Sequence, residues 1–259
     1  MRSIAVFDLV GPMAHFRKFY TNSSSLTYHV PPRTVLVGMI AALLGWSRDS
    51  YRDSYSDRLS LEKAHIGVAL CTPVRTIVQT VNLLATDDND WHGMKPRTQI
   101  PTEWVLPKAY EHPALLRYRV YFAHEDPAIT EEVAWRVQER RYAYPLFLGV
   151  ASCPAWAEGG AFYPVNKVSW VDDPTPVSID TTVPIPRVIA MPPEENVGVR
   201  ILRDRMPLDL NPDRTLRAVA DVLWEDNGRS LTLAVRGRRF RLPEDESWHV
   251  FLAVGDGAG

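Results

Sequence analysis

The first 45 residues contain the feature that most restricts the fold: a short apolar strand, then a basic loop, then an apolar helix. Residues 4–10 (IAVFDLV) have the length and apolar content of a buried strand, and Gly11 and Pro12 follow it. Pro31 and Pro32 precede a wholly apolar stretch, residues 35–44, that predicts a buried helix. This order places the helix N-terminus beside the loop, where its free N–H groups and dipole would face an anion.

The loop between this strand and helix carries cations, flat rings and hydroxyls but no carboxylate. Such a composition suits phosphates and unstacked bases, and Thr34 can cap the helix. The rings of Phe16, Phe19 and Tyr28 could equally cover a hydrophobic core. On their chemistry alone, the predicted RNA-binding residues in this loop are Lys18, Tyr20, Asn22, Ser23 and Ser25.

Composition favours a cytoplasmic protein that binds one short strand and also contacts other proteins. The net charge of the 259 residues is −2, whereas a general nucleic-acid coat protein is strongly basic. The basic residues form local clusters, such as Arg117 with Arg119. Cys71 and Cys153 lack disulfide or metal-ligand spacing, and we find no signal peptide and no stretch long enough to cross a bilayer.

The first two thirds of the chain read as strand, helix, strand, strand, helix, strand. We predict strands at 65–70, 75–84 and 115–122, the last two forming a pair with a long protruding connection. A second helix begins at Asp126 and Pro127, with Asp as N-cap, and a strand follows within 161–170. This order is that of the ferredoxin-like fold shared with RNA-recognition motifs, so the predicted fold class is α+β.

The predicted organisation has two parts. Residues 1–171 form a ferredoxin-like RNA-binding domain with a thumb at about 85–107, and residues 172–259 form a small β-rich C-terminal appendage. Frequent prolines interrupt the second part. Within it, residues 230–242 are predicted to form a hairpin that turns at Gly237.

Two segments closely resemble the recurring segments of the CRISPR-associated Cas5 family. The first comprises FDLVGP at 7–12, AHFR at 14–17, Tyr28, PPRT at 31–34 and the stretch from Gly38 to Gly45. The second comprises YPLFLG at 144–149 and CPA at 153–155. The two segments stand in the family's order, and the sequence after Lys167 has no such counterpart.

The resemblance implies a fold and a function. The family belongs to the RAMP superfamily and has the ferredoxin-like fold, with a thumb-like hairpin that the protrusion would match. Its members are subunits of Cascade, the type I CRISPR ribonucleoprotein complex of antiviral defence. The subunit caps the 5′ handle of the guide RNA (crRNA) and contacts the large subunit (Cas8 type) and the first backbone subunit (Cas7 family). We therefore expect a non-catalytic subunit of this kind, most like type I-B, with target DNA within the complex as a further candidate partner.

Four residues match the family's N-terminal segment and are expected by resemblance to contact RNA: Arg17, Tyr28, Arg33 and Thr34. In the thumb, Lys95, Arg97 and Gln99 are further RNA-binding candidates. A solvated surface explains each thumb residue equally well, and Trp91 could instead anchor a protein neighbour.

Two other functions remain open from the sequence. One is metal-independent cleavage of precursor crRNA, which needs a base, an acid and a cation. One branch of the family uses a tyrosine with an adjacent Lys-His pair, and this chain has no such dipeptide. The nearest candidate group for such cleavage is Lys108, Tyr110 and His112, with His15, Tyr20, Tyr28 and His29.

The other open function is a protein-only adaptor, in which the arginine clusters would contact acidic surfaces of partner proteins.

No metal or cofactor is expected. The seven histidines are scattered and form no helix-face pair with an acidic partner. The sequence has neither a phosphate-binding loop with Gly-Lys-Ser or Gly-Lys-Thr nor a dinucleotide Gly-x-Gly-x-x-Gly motif.

Overall fold

The computed structural model describes residues 1–21, 24–47, 55–83, 98–108 and 114–254. The α-helices within these ranges are α1 Arg33–Leu44, α2 Tyr55–Arg58 and α3 Pro127–Gln138. The strands are β1 Ile4–Gly11, β2 Phe16–Arg17, β3 Thr27–Tyr28, β4 Ala64–Leu70, β5 Val74–Leu83, β6 Thr98–Pro107, β7 Leu116–His124, β8 Leu146–Phe147, β9 Pro154–Tyr163, β10 Ser169–Val171, β11 Val177–Ile179, β12 Val183–Pro184, β13 Val188–Ala190, β14 Ile201–Leu210, β15 Leu216–Glu225, β16 Leu231–Val235 and β17 Arg239–Arg241.

A five-stranded sheet in the order β4–β7–β1–β9–β8 forms the centre of the fold. All its pairings are antiparallel. The eight residues of β1 are all buried, which confirms the buried strand predicted from its apolar run.

The side chains of β1 alternate between two covered faces, as the period of a strand requires. Ala5, Phe7 and Leu9 join the core that contains α1 and α3. Ile4 and Val6 point to the opposite face, in a second cluster with aromatic residues of the C-terminal part. Covering on both faces explains why the strand is apolar throughout.

The two long helices follow their predicted positions, with one correction. Asp126 caps α3: its carboxylate accepts a hydrogen bond from the Ala128 N–H at 2.9 Å, as predicted. The prediction that Thr34 caps α1 is wrong. The helix begins at Arg33, two residues earlier than predicted, and its N-cap residue is Pro32, which has no side chain able to accept a hydrogen bond.

Strands β5 and β6, of ten residues each, form an antiparallel hairpin. This pairing corrects the predicted one. The sequence paired 75–84 with 115–122, but β7 instead lies in the central sheet. Residues 98–107 were predicted as part of the protruding connection. Pro101 and Pro107 weakened the strand signal there, because proline cannot donate a hydrogen bond to a neighbouring strand.

The C-terminal part consists of small β-sheets. Strands β14 and β15 form its longest hairpin. The predicted hairpin at 230–242 is wrong, although Gly237 does lie in a turn with φ of 76°. Strand β16 pairs with β11 and β13, whereas β17 pairs with β10, because segments distant in sequence occupy their edges. The single strand predicted within 161–170 is also incorrect, because this range contains the end of β9 and the start of β10.

The C-terminal part shares its core with the central sheet. Met206, Leu208, Val222 and Trp224 are buried in the same cluster as the apolar residues of α1. The division into domains at residue 171 stays a prediction. Among the described helices, none combines the length and apolar character needed to span a bilayer.

Candidate nucleic-acid interface

The segment between β1 and α1, residues 12–32, is called the first loop below, and its backbone extends the β5–β6 hairpin. The Ala14 N–H donates to the Val105 carbonyl at 3.0 Å, and the Val105 N–H donates back at 2.8 Å. Farther along, the Ser25 N–H donates to the Pro101 carbonyl at 2.9 Å. Two points of attachment, separated by a turn, hold the loop against β6.

Side chains of the first loop also attach it to strand β14. The Lys18 ammonium lies 2.7 Å from one oxygen of Asp204, and the Tyr20 hydroxyl donates to the other at 2.6 Å. The Tyr28 hydroxyl donates to the Arg205 carbonyl at 2.6 Å. The C-terminal part thus supplies the carboxylate that the loop lacks, and the loop bridges the hairpin and β14.

His15 fixes the interior of the loop. One ring nitrogen, Nδ1, lies 2.6 Å from the Glu103 carbonyl and must donate to it, so Nε2 accepts from the Ser25 hydroxyl at 2.9 Å. Burial lowers the pKa of His15 and keeps the ring neutral, which this arrangement requires. Both nitrogens are therefore used in holding the loop together.

The two segments that resemble the Cas5 family contact each other. The His15 N–H donates to the Leu148 carbonyl at 3.0 Å. Next to it, Gly149 has φ of 96°, and a side chain there would overlap the His15 carbonyl. At Gly11 a Cβ atom would lie 2.8 Å from the Pro154 carbonyl oxygen. The close approach of two backbones explains the glycines in both segments.

Arg33 is not available to RNA, which corrects the prediction for this residue. It is 1% exposed, and its guanidinium donates to the carbonyls of four residues at 2.8–3.0 Å, with Asp209 at 3.6 Å. Burial lowers its pKa to about 10, so it stays charged at neutral pH. The carbonyls belong to Leu59, Ser60, Ala64 and Leu208.

The remaining described candidates divide by exposure. Tyr28 is buried, as is Phe16, so the alternative that these rings cover the core is the right one for both. Arg17 and Gln99 are exposed, Thr34 is half-buried, and these three stay predictions. Lys18, Tyr20 and Ser25 lie in the loop with the partners given above. Asn22, Ser23, Lys95 and Arg97 lie outside the described residues, as do Trp91, Tyr110 and His112.

The exposed end of the first loop and the β14–β15 hairpin enclose a cleft of about 440 Å³, called the loop–hairpin cleft below. Two β-bulges interrupt the pairing of β14 with β15 beside it, at Pro207/Asp209 and at Asp209/Leu210. The cleft is lined by Phe19, Tyr20, Arg205, Leu216, Arg217, Ala218 and Val219.

Sequence reasoning missed most of this cleft. In the sequence Phe19 cannot be distinguished from Phe16, which is buried. Arg205 and Arg217 carry no motif, and Tyr20 is 184 residues from its partner Asp204. Only the exposure of Phe19 and the position of β14 identify the site.

The residues considered for RNA cleavage are dispersed where they are described. The Lys108 ammonium donates to the Asn227 side chain at 3.0 Å, and the His29 ring binds Asp226 at 2.5 Å. Burial, together with Asp204, raises the pKa of both Tyr20 and Tyr28. Among the described residues no group of three or more His, Cys, Asp or Glu side chains could hold a metal ion.

Comparison with known proteins decides the family. A family model described as CRISPR-associated protein (Cas_Cas5) matches residues 4–168. The chain belongs to the Cas5 family. The match contains both segments that indicated it, and a search of curated proteins found no match.

One solved structure extends the similarity of this Cas5-family chain to its fold. A crystal structure of a CRISPR protein from Archaeoglobus fulgidus has a TM-score of 0.57 and 13% identity, and the match covers 95% of this chain and 98% of that one. A chain of a CRISPR RNA-guided surveillance complex matches at a TM-score of 0.44 and 15% identity, over 89% and 90% of the two chains. The first match shows a shared mixed fold of helices and mostly strands.

The family match ends at residue 168. Asp204, Arg205 and Arg217 therefore lie outside the matched part of this Cas5-family chain. The loop–hairpin cleft combines residues on both sides of that boundary.

Proposed function

We propose that this Cas5-family chain is a non-catalytic subunit of a type I CRISPR Cascade complex that binds and caps the 5′ handle of the crRNA. The observation that carries the proposal is the position of the first loop, held between the β5–β6 hairpin and β14. Its exposed end presents Arg17, Phe19 and Tyr20 to solvent. Cations bind the phosphates of a single nucleic-acid strand and exposed rings stack on its bases, so this combination suits single-stranded RNA.

We also propose a ferredoxin-like core and a thumb. The elements β1, α1, β4, β7, α3 and β9 follow in the order of that fold, and their strands lie as β4–β7–β1–β9. The β5–β6 hairpin, inserted between β4 and β7, is the candidate thumb. Most of β5 is exposed, as a projecting hairpin requires.

The protein partners in this proposal are a Cas7-type backbone subunit and a Cas8-type large subunit, with target DNA held by the assembly. Among the described residues β5 has no strand on its outer edge, and Ile77, Val78 and Leu83 are exposed along it. An unpaired edge of this kind adds a strand from a neighbour readily. The hairpin is thus the surface proposed for the backbone subunit.

The absence of catalysis is proposed from the state of the candidate groups. A general base must be free to accept a proton near neutral pH. Both nitrogens of His15 are engaged, and the pKa values of Tyr20 and Tyr28 are raised. Labelled repeat RNA incubated with the purified chain and a chelator is expected to remain intact, and cleavage would favour an endoribonuclease.

Protection of the RNA 5′ end tests the capping function. We would assemble the complex with and without this chain and digest the bound crRNA with a 5′ exonuclease. The chain is expected to protect the 5′ end, and Arg17→Ala to weaken that protection, while Arg238→Ala removes an exposed guanidinium on the C-terminal part as the control.

Equal protection without the chain contradicts capping. If the assembled complex contains the chain but no discrete RNA, the protein-only adaptor is favoured instead. The isolated chain is expected to bind handle RNA weakly, because it offers few phosphate contacts, each contributing a log–log salt slope of about −0.7.

A further inference from the structure

The loop–hairpin cleft has the chemistry of a nucleotide site. We propose that it holds one unstacked nucleotide of the guide strand, with the base against Phe19 and the phosphate on Arg205. This inference rests on the proposed function, because it names the site at which the capped strand is gripped.

The aromatic wall of the cleft is accessible and oriented. Phe19 is 39% exposed and Tyr20 is 48% exposed. Their rings meet edge to face with centroids 5.3 Å apart, so the pair leaves ring faces free for a base. The hydrogen bond from the Tyr20 hydroxyl to Asp204 fixes the position of Tyr20 and, through it, the neighbouring ring.

The cationic wall contains one unused guanidinium. Arg205 is exposed, and its side chain has no hydrogen-bond or ion-pair partner among the described residues. Arg217, by contrast, is paired with Glu62 at 2.9 Å and with Asp209 at 3.4 Å. A free planar guanidinium binds phosphate oxygens through two parallel hydrogen bonds, so Arg205 is the phosphate ligand.

The remaining lining selects for a flat, negatively charged ligand. Leu216, Ala218 and Val219 provide an apolar floor, and none of the described residues that line the cleft carries a carboxylate. Its volume of about 440 Å³ is that of a small-ligand site. Arg17 lies two residues from Phe19 and continues the positive charge along the loop, which favours a strand of nucleic acid over an isolated peptide side chain.

The test uses the assembled complex with crRNA that carries 4-thiouridine at single positions of its 5′ handle. After irradiation, one position is expected to cross-link to the tryptic peptide from Phe19 to Arg33. Phe19→Ala should abolish this cross-link and make 5′ exonuclease digestion about 5- to 150-fold faster, the factor expected for one lost stacked base. Phe19→Trp should retain protection, and Arg205→Ala should lower it.

A second aromatic–guanidinium pair provides the matched control. Trp135 is 45% exposed on α3, with the Arg141 guanidinium 5.6 Å from its ring centroid. Trp135→Ala removes an exposed ring of the same kind, and it is expected to leave both the cross-link and the digestion rate unchanged.

The outcomes separate this inference from the proposed function. In one outcome the chain protects the 5′ end, while complexes with Phe19→Ala or Arg205→Ala show the wild-type rate of crRNA digestion and cross-links on other peptides. That result overturns the nucleotide site in the cleft and leaves the capping function intact. Cross-linking of every labelled handle position to partner proteins, and none to the peptide from Phe19 to Arg33, also overturns the nucleotide site. If the 5′ end is equally protected without the chain, both proposals fail.

Discussion

Arg33 and Arg17 show that the role of an arginine depends on its burial and its partners. Both stand in the segment that resembles the Cas5 family, and by sequence both are candidates for RNA. Arg33 is 1% exposed and donates to four carbonyls, whereas Arg17 is exposed, with one long contact to the Thr21 carbonyl at 3.4 Å. Arg33 thus links α1 to the chain before β4 and to β14.

We expect Arg33→Met to lower the free energy of unfolding by about 3–5 kcal/mol, because it leaves several carbonyls buried without a donor and removes one of the two cations beside Asp209. Arg17→Met should change it by less than about 0.5 kcal/mol, as exposed substitutions do. Urea denaturation of both variants measures the difference. Equal stabilities would contradict the structural role of Arg33.

His249 is a buried residue held between two carboxylates. Its Nδ1 and Nε2 atoms each lie 2.6 Å from an oxygen, of Asp180 and Asp245 respectively, and its ring stacks on Tyr121 at 4.2 Å. Burial lowers the pKa of His249, but the two carboxylates outweigh it and the net pKa is raised. His65 is the opposite case, since burial and nearby cations lower its pKa to about 4.

These two histidines predict pH dependences of opposite sign. Protonated His249 stabilises the fold fully below its unfolded pKa of about 6.5, and this stabilisation is lost as pH rises through the raised folded pKa. His249→Gln should therefore cost more stability at pH 6 than at pH 9. His65 favours folding above about pH 6.5 and loses that contribution as pH falls toward its depressed pKa.

Urea denaturation across this pH range measures both contributions. In His65→Gln the part of the acid destabilisation that lies between about pH 6.5 and 4 should be reduced. A cost of His249→Gln that does not vary with pH would show that the residue contributes packing alone.

At the scale of elements, the junction of the first loop with the turn after β8 holds the candidate interface in place. Gly149 lies in that turn, directly against the His15 backbone. The contact explains why two segments far apart in sequence both carry recognisable family residues. Each depends on the other for its conformation.

Gly149→Ala should be more destabilising than Gly198→Ala by about 1–3 kcal/mol, the usual cost of overpacking. Both glycines have positive φ, 96° and 74°, but a side chain at Gly198 would meet nothing within 4 Å. Comparing the two substitutions therefore distinguishes the cost of the clash with His15 from the cost of backbone strain, which both share. Denaturation gives the cost, and faster hydrogen exchange of the Ala14 amide would locate it in the first loop.

At the scale of the whole molecule, the C-terminal part completes the core that contains α1. Strands β14 and β15 place Met206, Leu208, Val222 and Trp224 in the core beside α1. Without them, α1 and the guanidinium of Arg33 would face solvent or an empty space.

A fragment of residues 1–171 is therefore expected to lack a cooperative thermal transition and a native near-UV circular dichroism spectrum. The full chain should unfold in one transition, since its core is continuous across residue 171. A fragment that unfolds cooperatively with the stability of the full chain would instead support two separate domains.

Local patterns correctly predicted β1, α1, β4 and α3. A continuous apolar run, an Asp-Pro start and a glycine after a helix act within a few residues, so they can be recognised in one sequence. The family resemblance was also present locally, in two short segments, and the family match confirms it.

Strand partners, burial of charged groups and the cleft depended on the tertiary structure. The partner of β5 is β6 rather than β7, Arg33 is buried, and Tyr20 binds a carboxylate 184 residues away. These outcomes arise from contacts between segments distant in the chain, whose free energies no local pattern contains. The sequence thus sets which segments are strands and helices, while packing decides which cations and rings remain exposed.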